Sequence, residues 1–310
     1  MKDRIVIGSR GSRLALVQSR GIAAALQRVF EGLQVEIRVI TTKGDKILDT
    51  PLAKIGGKGL FTKEIEAALL DSQADLAVHS LKDLPTEDTP GLVVAAIPPR
   101  ENPLDALVSP KYASLAALPP GARVGTSSLR RKAQLLAANP GLVIEDLRGN
   151  VGTRLSRVHD GAYDAAILAC AGLERLGSHA EIAEVIAPEI ITPACGQGAL
   201  AVQCREDDAE LRETLGRIHD ANAAAETTCE RAFLAALGGG CQVPIGALAR
   251  VNGGRIRMAG CVCSLDGKTI LRTEIEGPSE QGVALGRKAA DQVRDRGADE
   301  IIRAIPRGAA

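Results

Sequence analysis

A chain of 310 residues exceeds the roughly 250 to 300 that one hydrophobic core can fill, so two or three domains are expected. Hydrophobic residues make up 45% but aromatics only 2%, with no Trp, so Ala, Val, Leu and Ile must fill the core, and the composition argues against stacking on nucleic-acid bases. With 38 basic and 38 acidic residues, the balance argues against a globally basic nucleic-acid binder or an acidic tail.

The first residues lack the apolar core of a signal peptide, and no window holds the roughly 18 uncharged apolar residues of a membrane span. The expectation is a cytoplasmic protein. Arg4 to Gly8 reads as a short buried strand, followed by the polar turn Ser9-Arg10-Gly11-Ser12 and a helix from about Leu14 to Phe30. Val35 to Thr41 is the next strand. The Lys/Gly-rich segment Lys43 to Gly59 after it has the look of a mobile loop, and it lacks the GK[ST] spacing of a phosphate-binding loop. A helix from about Thr62 to Leu70 leads to a strand over Ala74 to His79 and then to Ser80-Leu81-Lys82-Asp83-Leu84-Pro85. Asp83 thus falls just past the carboxyl end of a strand, where open α/β sheets bind ligands.

Strands are expected at Leu92 to Ile97 and Ala106 to Ser109, with the proline-rich connection Pro98 to Pro103 marking a passage between domains. Arg123-Val124-Gly125 runs into Thr126-Ser127-Ser128 and a helix opening Leu129-Arg130-Arg131-Lys132; the hydroxyls suit either an ordinary helix cap or an anion site. A strand at Leu142 to Leu147, the turn Arg148-Gly149-Asn150-Val151, a helix at Gly152 to Val158 and a strand at Tyr163 to Cys170 repeat the pattern. Leu200 to Arg205 reads as a strand crossing back into the first sheet. After it come a helix (Ala223 to Leu237), a glycine-rich loop around Cys241, three strands joined by hairpin turns, and a closing helix to Arg294.

The seven cysteines show no CxxC spacing and the four histidines no HExxH pattern, so free thiols and no metal site are expected. Cys261 and Cys263 share one face of a strand and read as small buried hydrophobes. Cys241 differs: three glycines before it and Pro244 after it either make a turn that happens to contain a cysteine or hold a thiol on a tether. Arg123, Arg130, Arg131, Lys132, Arg148, Arg154 and Arg157 face only Glu145 and Asp146 in their stretch. They are either a solvated charged face or, since several follow strand ends, a cleft for a polyanion, and convergence favours the cleft.

Read together, these segments resemble the porphobilinogen deaminase (hydroxymethylbilane synthase) family. The motifs that carry the likeness are Gly8 to Ser12 with Leu14 to Leu16, Gly56 to Phe61, Val78 to Pro85, Gly125 to Arg131, Leu147 to Leu155, Gly172 to Gly177, Gly196 to Ala199 and the Cys241 loop. The resemblance implies two periplasmic-binding-protein-like α/β lobes with a hinge, plus a third α+β domain with a three-stranded antiparallel sheet. The expected boundaries are 1–99 with 200–217 for the first domain, 100–199 for the second and 218–310 for the third. It further implies that Cys241 carries a dipyrromethane cofactor through a thioether, and that four molecules of porphobilinogen are deaminated and joined head to tail before water releases hydroxymethylbilane. Asp83 corresponds to the family's catalytic aspartate. Lys82, Asp83, Thr126, Ser127, Ser128, Arg130, Arg131 and Arg148 would hold the cofactor, and Arg10, Ser12, Arg154 and Arg175 the incoming substrate. The implied protein is a monomer that passes its product to the next pathway enzyme and binds neither nucleic acid nor membrane. The competing reading is a cytoplasmic sensor-type module binding a small anion in the same fold.

Overall fold

The computed structural model describes residues 3–46, 59, 62–239 and 243–305. Most of the Lys43 to Gly59 segment and Cys241 itself lie outside the described residues. In chain order the strands are β1 (Arg4–Ser9), β2 (Gln34–Val39), β3 (Leu76–Ser80), β4 (Leu92–Ala96), β5 (Asp105–Val108), β6 (Arg123–Gly125), β7 (Val143–Glu145), β8 (Ala165–Ala169), β9 (Glu184–Ile186), β10 (Leu200–Arg205), β11 (Ile245–Asn252), β12 (Arg255–Cys263) and β13 (Ile270–Pro278). The helices are α1 (Arg13–Val29), α2 (Lys43–Lys46), α3 (Lys63–Leu70), α4 (Leu129–Ala138), α5 (Val151–His159), α6 (Cys170–Arg175), α7 (Ala209–Gly216), α8 (Ala221–Ala236), α9 (Gly282–Arg294) and α10 (Ala298–Arg303). Among the described residues no helix is long and apolar enough to cross a membrane.

Two compact units divide the described residues, one of 3–46, 59, 62–101 and 199–224, the other of 102–198, 225–239 and 243–305. In the first, a five-stranded sheet has the order β2-β1-β3-β10-β4, with β1 parallel to β2 and β3, and β10 antiparallel to β3 and β4. The expected return of Leu200 to Arg205 into the first sheet is thus observed. Alternation along the strands gives the sheet two apolar faces. Ile5, Ile7, Leu76, Val78, Val202 and Cys204 pack with Ile22 and Leu26 of α1. Ala77 and Leu92 pack with Ile65 and Leu69 of α3 on the other side. Gly8 near the end of β1 allows close approach: a Cβ there would meet Ile40 Cδ1 at 3.1 Å and Ala74 Cβ at 3.2 Å.

The second unit carries a five-stranded sheet of matching order, β7-β6-β8-β5-β9, again with three parallel strands and an antiparallel fourth. It also holds the expected three-stranded antiparallel sheet β11-β12-β13, whose core includes Phe233, Ile256, Met258, Val262, Ala289 and Val293 from the sheet, α8 and α9. The architecture is therefore two mixed α/β lobes plus an antiparallel three-stranded sheet. Among the described residues, five elements, α2, α6, α7, β9 and α10, escape the sequence patterns. β9 is three residues long, too short for any periodicity, and α7 is signalled only by its cap, Asp208 accepting from Leu211 N at 3.1 Å. The other cysteines, Cys170, Cys195, Cys204, Cys229, Cys261 and Cys263, are buried free thiols, as their small apolar character suggests.

Candidate active site

The first unit forms a pocket at the carboxyl ends of β1 and β3, lined by Arg10, Ser12, Gln18, His79, Ser80 and Asp83, among others. The Ser9 to Ser12 turn is held from within: Ser19 Oγ donates to Ser9 Oγ at 2.8 Å, and Ser12 Oγ caps α1 by accepting from Ala15 N at 3.3 Å. Gln18, one and a half turns along α1, donates to Ser80 Oγ at 3.0 Å and so ties the helix to the end of β3. After β3, Leu81 N bonds to Ala199 O and Leu84 N to Leu81 O, closing one short turn over Leu81–Asp83. Leu81 and Leu84 are both buried, which pins that turn and leaves Lys82 half-buried and Asp83 exposed. Apolar residues flanking Asp83 therefore act as its anchor. Burial pushes the His79 imidazole down to about 4, the Gln203 bond opposes this, and the nearby Arg10 charge reinforces it, so the ring is neutral beside Asp83 at ordinary pH.

In the second unit, two turns stand side by side at the carboxyl ends of β6 and β7. Ser127 Oγ donates to Leu147 O at 3.2 Å, joining them. Thr126 Oγ1 accepts from Ser128 N at 3.3 Å, and Ser128 Oγ caps α4 by accepting from Arg131 N at 3.4 Å. Asn150 caps α5, accepting from Thr153 N at 2.9 Å, while Arg154 Nε donates to Gly149 O at 2.8 Å. Gly149 is required at its place, since its φ is +106° and a Cβ would fall 2.9 Å from Thr153 Cβ. Arg148 Nη1 is buried and has no hydrogen-bond partner among the described residues. A buried guanidinium nitrogen without an acceptor is costly, and an anionic ligand is what would satisfy it.

Arg130 and Arg131 are placed differently from their neighbours, turned into the interior against Asp105. Arg130 Nη1 donates to Asp105 Oδ2 at 2.7 Å and to Thr192 O at 2.8 Å. Arg131 uses all three nitrogens, Nε and Nη2 on Asp105 Oδ1 at 3.1 and 2.7 Å and Nη1 on Ile167 O at 2.9 Å. Burial raises the Asp105 pKa, but the two guanidiniums outweigh it and hold the carboxyl well below the usual carboxylate range. Gln197 Nε2 completes the cluster at 2.9 Å. Arg175, at the end of α6, donates to Gly198 O at 2.7 Å.

Of the residues singled out in the sequence, Arg10, Ser12 and Asp83 thus line one pocket, with Lys82 adjoining. Thr126, Ser127, Ser128, Arg148 and Arg154 gather at the paired turns. Sequence reasoning passed over Gln18, His79, Asp105 and Gln197. Asp105 had one signal, a carboxylate heading an otherwise apolar strand. Two turns rich in hydroxyls and guanidiniums, a cluster with two cations to one carboxylate, and an orphaned guanidinium nitrogen suit a ligand bearing several carboxylates, which a dipyrromethane with acidic arms is.

Residues 5–213 match the family model described as porphobilinogen deaminase, dipyromethane cofactor binding domain, and residues 224–295 match the porphobilinogen deaminase C-terminal domain. The chain is 50% identical to the porphobilinogen deaminase of Syntrophotalea carbinolica over 299 residues, 96% of this chain and 95% of that one. It is 48% identical to that of Staphylococcus carnosus over 304 residues, 97% of this chain and 98% of that one. A periplasmic substrate-binding protein of an ABC transporter from Coxiella burnetii overlays with a TM-score of 0.44 and 18% identity, over 70% of this chain and 92% of that one. With both family models matched in order and half the residues shared with curated members along almost the whole length, the chain belongs to the porphobilinogen deaminase family.

Proposed function

We propose that this chain is a hydroxymethylbilane synthase that deaminates porphobilinogen, joins four units head to tail and releases the linear product by hydrolysis. The observation that carries the site assignment is the pocket in which Arg10, Ser12 and Asp83 meet. Arg10 and Ser12 bind carboxylates of the incoming pyrrole, with Arg154 and Arg175 as further substrate-binding cations. Asp83 accepts the pyrrole N–H and stabilises the positive charge that passes to the ring as ammonia leaves. A neutral acceptor could do the first and not the second.

Lys82, Thr126, Ser127, Ser128 and Arg148 hold the acidic arms of the dipyrromethane, and Cys241 bears it through a thioether. When bound, that group supplies a nucleophilic pyrrole α-carbon on a tether. Arg130 and Arg131 are committed to Asp105, and their contribution is the net positive charge left by two cations and one carboxylate, together with a firm base for the Thr126 to Ser128 turn. Asp83, besides its catalytic role, accepts pyrrole N–H groups of the cofactor. The three domains expected from the sequence, 1–99 with 200–217, 100–199 and 218–310, divide the work between the catalytic aspartate, the Arg-rich turns and the cofactor-bearing loop. The protein works in the cytoplasm as a monomer and passes its product to the next enzyme of the pathway. The sensor-type alternative is disfavoured by family membership along almost the full chain.

Intact mass after denaturation tests this directly. The expected mass is that of the sequence plus two pyrrole units, lost on Cys241→Ser. Protein of bare sequence mass that nonetheless turns over porphobilinogen at full rate would overturn it.

A further inference from the structure

Beneath the pocket runs a chain of polar side chains that none of the roles above uses. Thr62 Oγ1 donates to Glu66 Oε2 at 3.5 Å, Gln203 Nε2 donates to Glu66 Oε1 at 3.3 Å, and Gln203 Oε1 lies 3.1 Å from His79 Nε2. All four residues are buried. In the antiparallel pairing of β3 with β10, His79 lies opposite Ala201 and Gln203 opposite Ala77, so both side chains stand on one face of the sheet, the face on which α3 packs.

The donors and acceptors have only one consistent order. A carboxylate accepts and does not donate, so Glu66 takes the amide nitrogen of Gln203. This turns the amide oxygen to His79, and an oxygen there requires the proton to sit on Nε2. Nδ1 is left as a bare acceptor. Among the described residues it has no hydrogen-bond partner. The ring itself lines the pocket with Arg10, Ser80 and Asp83. The charged groups around it are Arg10 after β1, Glu66 of α3 acting through Gln203, and Asp83 after β3.

Resting on the porphobilinogen reading, we infer that His79 is a substrate-binding residue whose Nδ1 accepts a hydrogen bond from the substrate's aminomethyl ammonium, and that Thr62, Glu66 and Gln203 are positioning residues that hold its tautomer. The assignment follows from what the substrate has left to offer. Its carboxylates go to Arg10 and Ser12 and its pyrrole N–H to Asp83, and the ammonium remains. When the carbon–nitrogen bond breaks, its electron pair stays on nitrogen and the positive charge moves to the pyrrole ring. The leaving group is neutral ammonia only if the amine has kept all three protons. An acceptor whose pKa is pushed down to about 4 steers the ammonium without deprotonating it, and it adds no charge to repel the ring cation that follows.

Two substitutions separate binding from packing. His79→Asn sets an amide oxygen near the position of Nδ1, whereas His79→Phe keeps the ring's bulk and has no acceptor. With porphobilinogen, His79→Phe is expected to raise KM about tenfold or more, and His79→Asn by less than about threefold. An analogue with methyl in place of aminomethyl should inhibit wild type and both variants alike. The opposite order, with Phe tolerated and Asn impaired, would show that the ring only packs and would overturn the inference. Nitrogen NMR of the imidazole in the holoenzyme, between about pH 5 and 8, should show the neutral Nε2–H form, with the Nδ1–H form appearing in Gln203→Leu. An Nδ1–H ring in wild type overturns the inference whatever the turnover, and an unchanged tautomer in Gln203→Leu overturns the positioning role. If wild type consumes no porphobilinogen, the functional reading itself fails, and the assignment of the ammonium to His79 fails with it.

Discussion

Asp105 is the residue whose removal the structure makes most costly. It is fully buried and accepts from Arg130 Nη1 at 2.7 Å, from Arg131 Nη2 at 2.7 Å and Nε at 3.1 Å, and from Gln197 Nε2 at 2.9 Å. Breaking a buried pair from one side costs about 3 to 5 kcal/mol, because the partner charge stays behind uncompensated. Asp105→Ala orphans two guanidiniums, both nearly inaccessible, so ~5 kcal/mol is expected. With a urea m-value of about 3 kcal/mol/M for a chain of this size, the midpoint of the transition that involves the second unit should fall by roughly 1.7 M. Asp105→Asn keeps the volume but turns an amide N–H toward a guanidinium, and about half that loss is expected. The pH dependence has a definite sign. The folded-state pKa lies below the ordinary 3.8, so the stabilisation is fully present above that value and is lost as pH falls through the folded value. Wild type and Asp105→Asn should therefore differ by a constant amount near neutrality and converge only below about pH 4. A midpoint for Asp105→Ala within about 0.2 M of wild type would refute the account of Arg130 and Arg131 as a buried cluster.

Asp83→Asn should leave the urea midpoint unchanged and lower turnover of porphobilinogen by about 10² to 10⁴, and a steady-state rate within a few-fold of wild type would remove Asp83 from the chemistry. Cys241→Ser should give a protein of bare sequence mass, and pyrrole retained on that variant after denaturation would place the attachment elsewhere. In the Cys241→Ser background, Arg148→Leu should hold or raise stability by up to ~1 kcal/mol, because Nη1 is buried without a partner, while in the otherwise native chain it should reduce pyrrole content. Destabilisation in the first case, or full pyrrole content in the second, argues against Arg148 as a ligand for acidic arms. Gly149→Ala should cost about 1 to 3 kcal/mol, read by thermal unfolding, since it combines a positive φ with a contact to Thr153.

Much of the architecture was legible from short-range pattern. Buried strands that run into small polar turns, then helices opened by Ser12, Ser128 and Asn150, mark the α/β units, because caps and periodicity are properties of residues a few positions apart. Asp83 could be set past a strand end for the same reason. Two hairpin turns were enough to announce the sheet of β11 to β13. What only the tertiary structure decided are the partners far along the chain. Arg130 and Arg131, which directly follow the Thr126 to Ser128 turn and open α4, are drawn inward by a carboxylate 25 and 26 positions earlier. His79 meets Gln203 across 124 positions, because β10 returns antiparallel beside β3. Charge and hydrogen-bonding capacity are written in the sequence one residue at a time, but which charge answers which depends on strand register and burial, and these exist only once the sheets have formed.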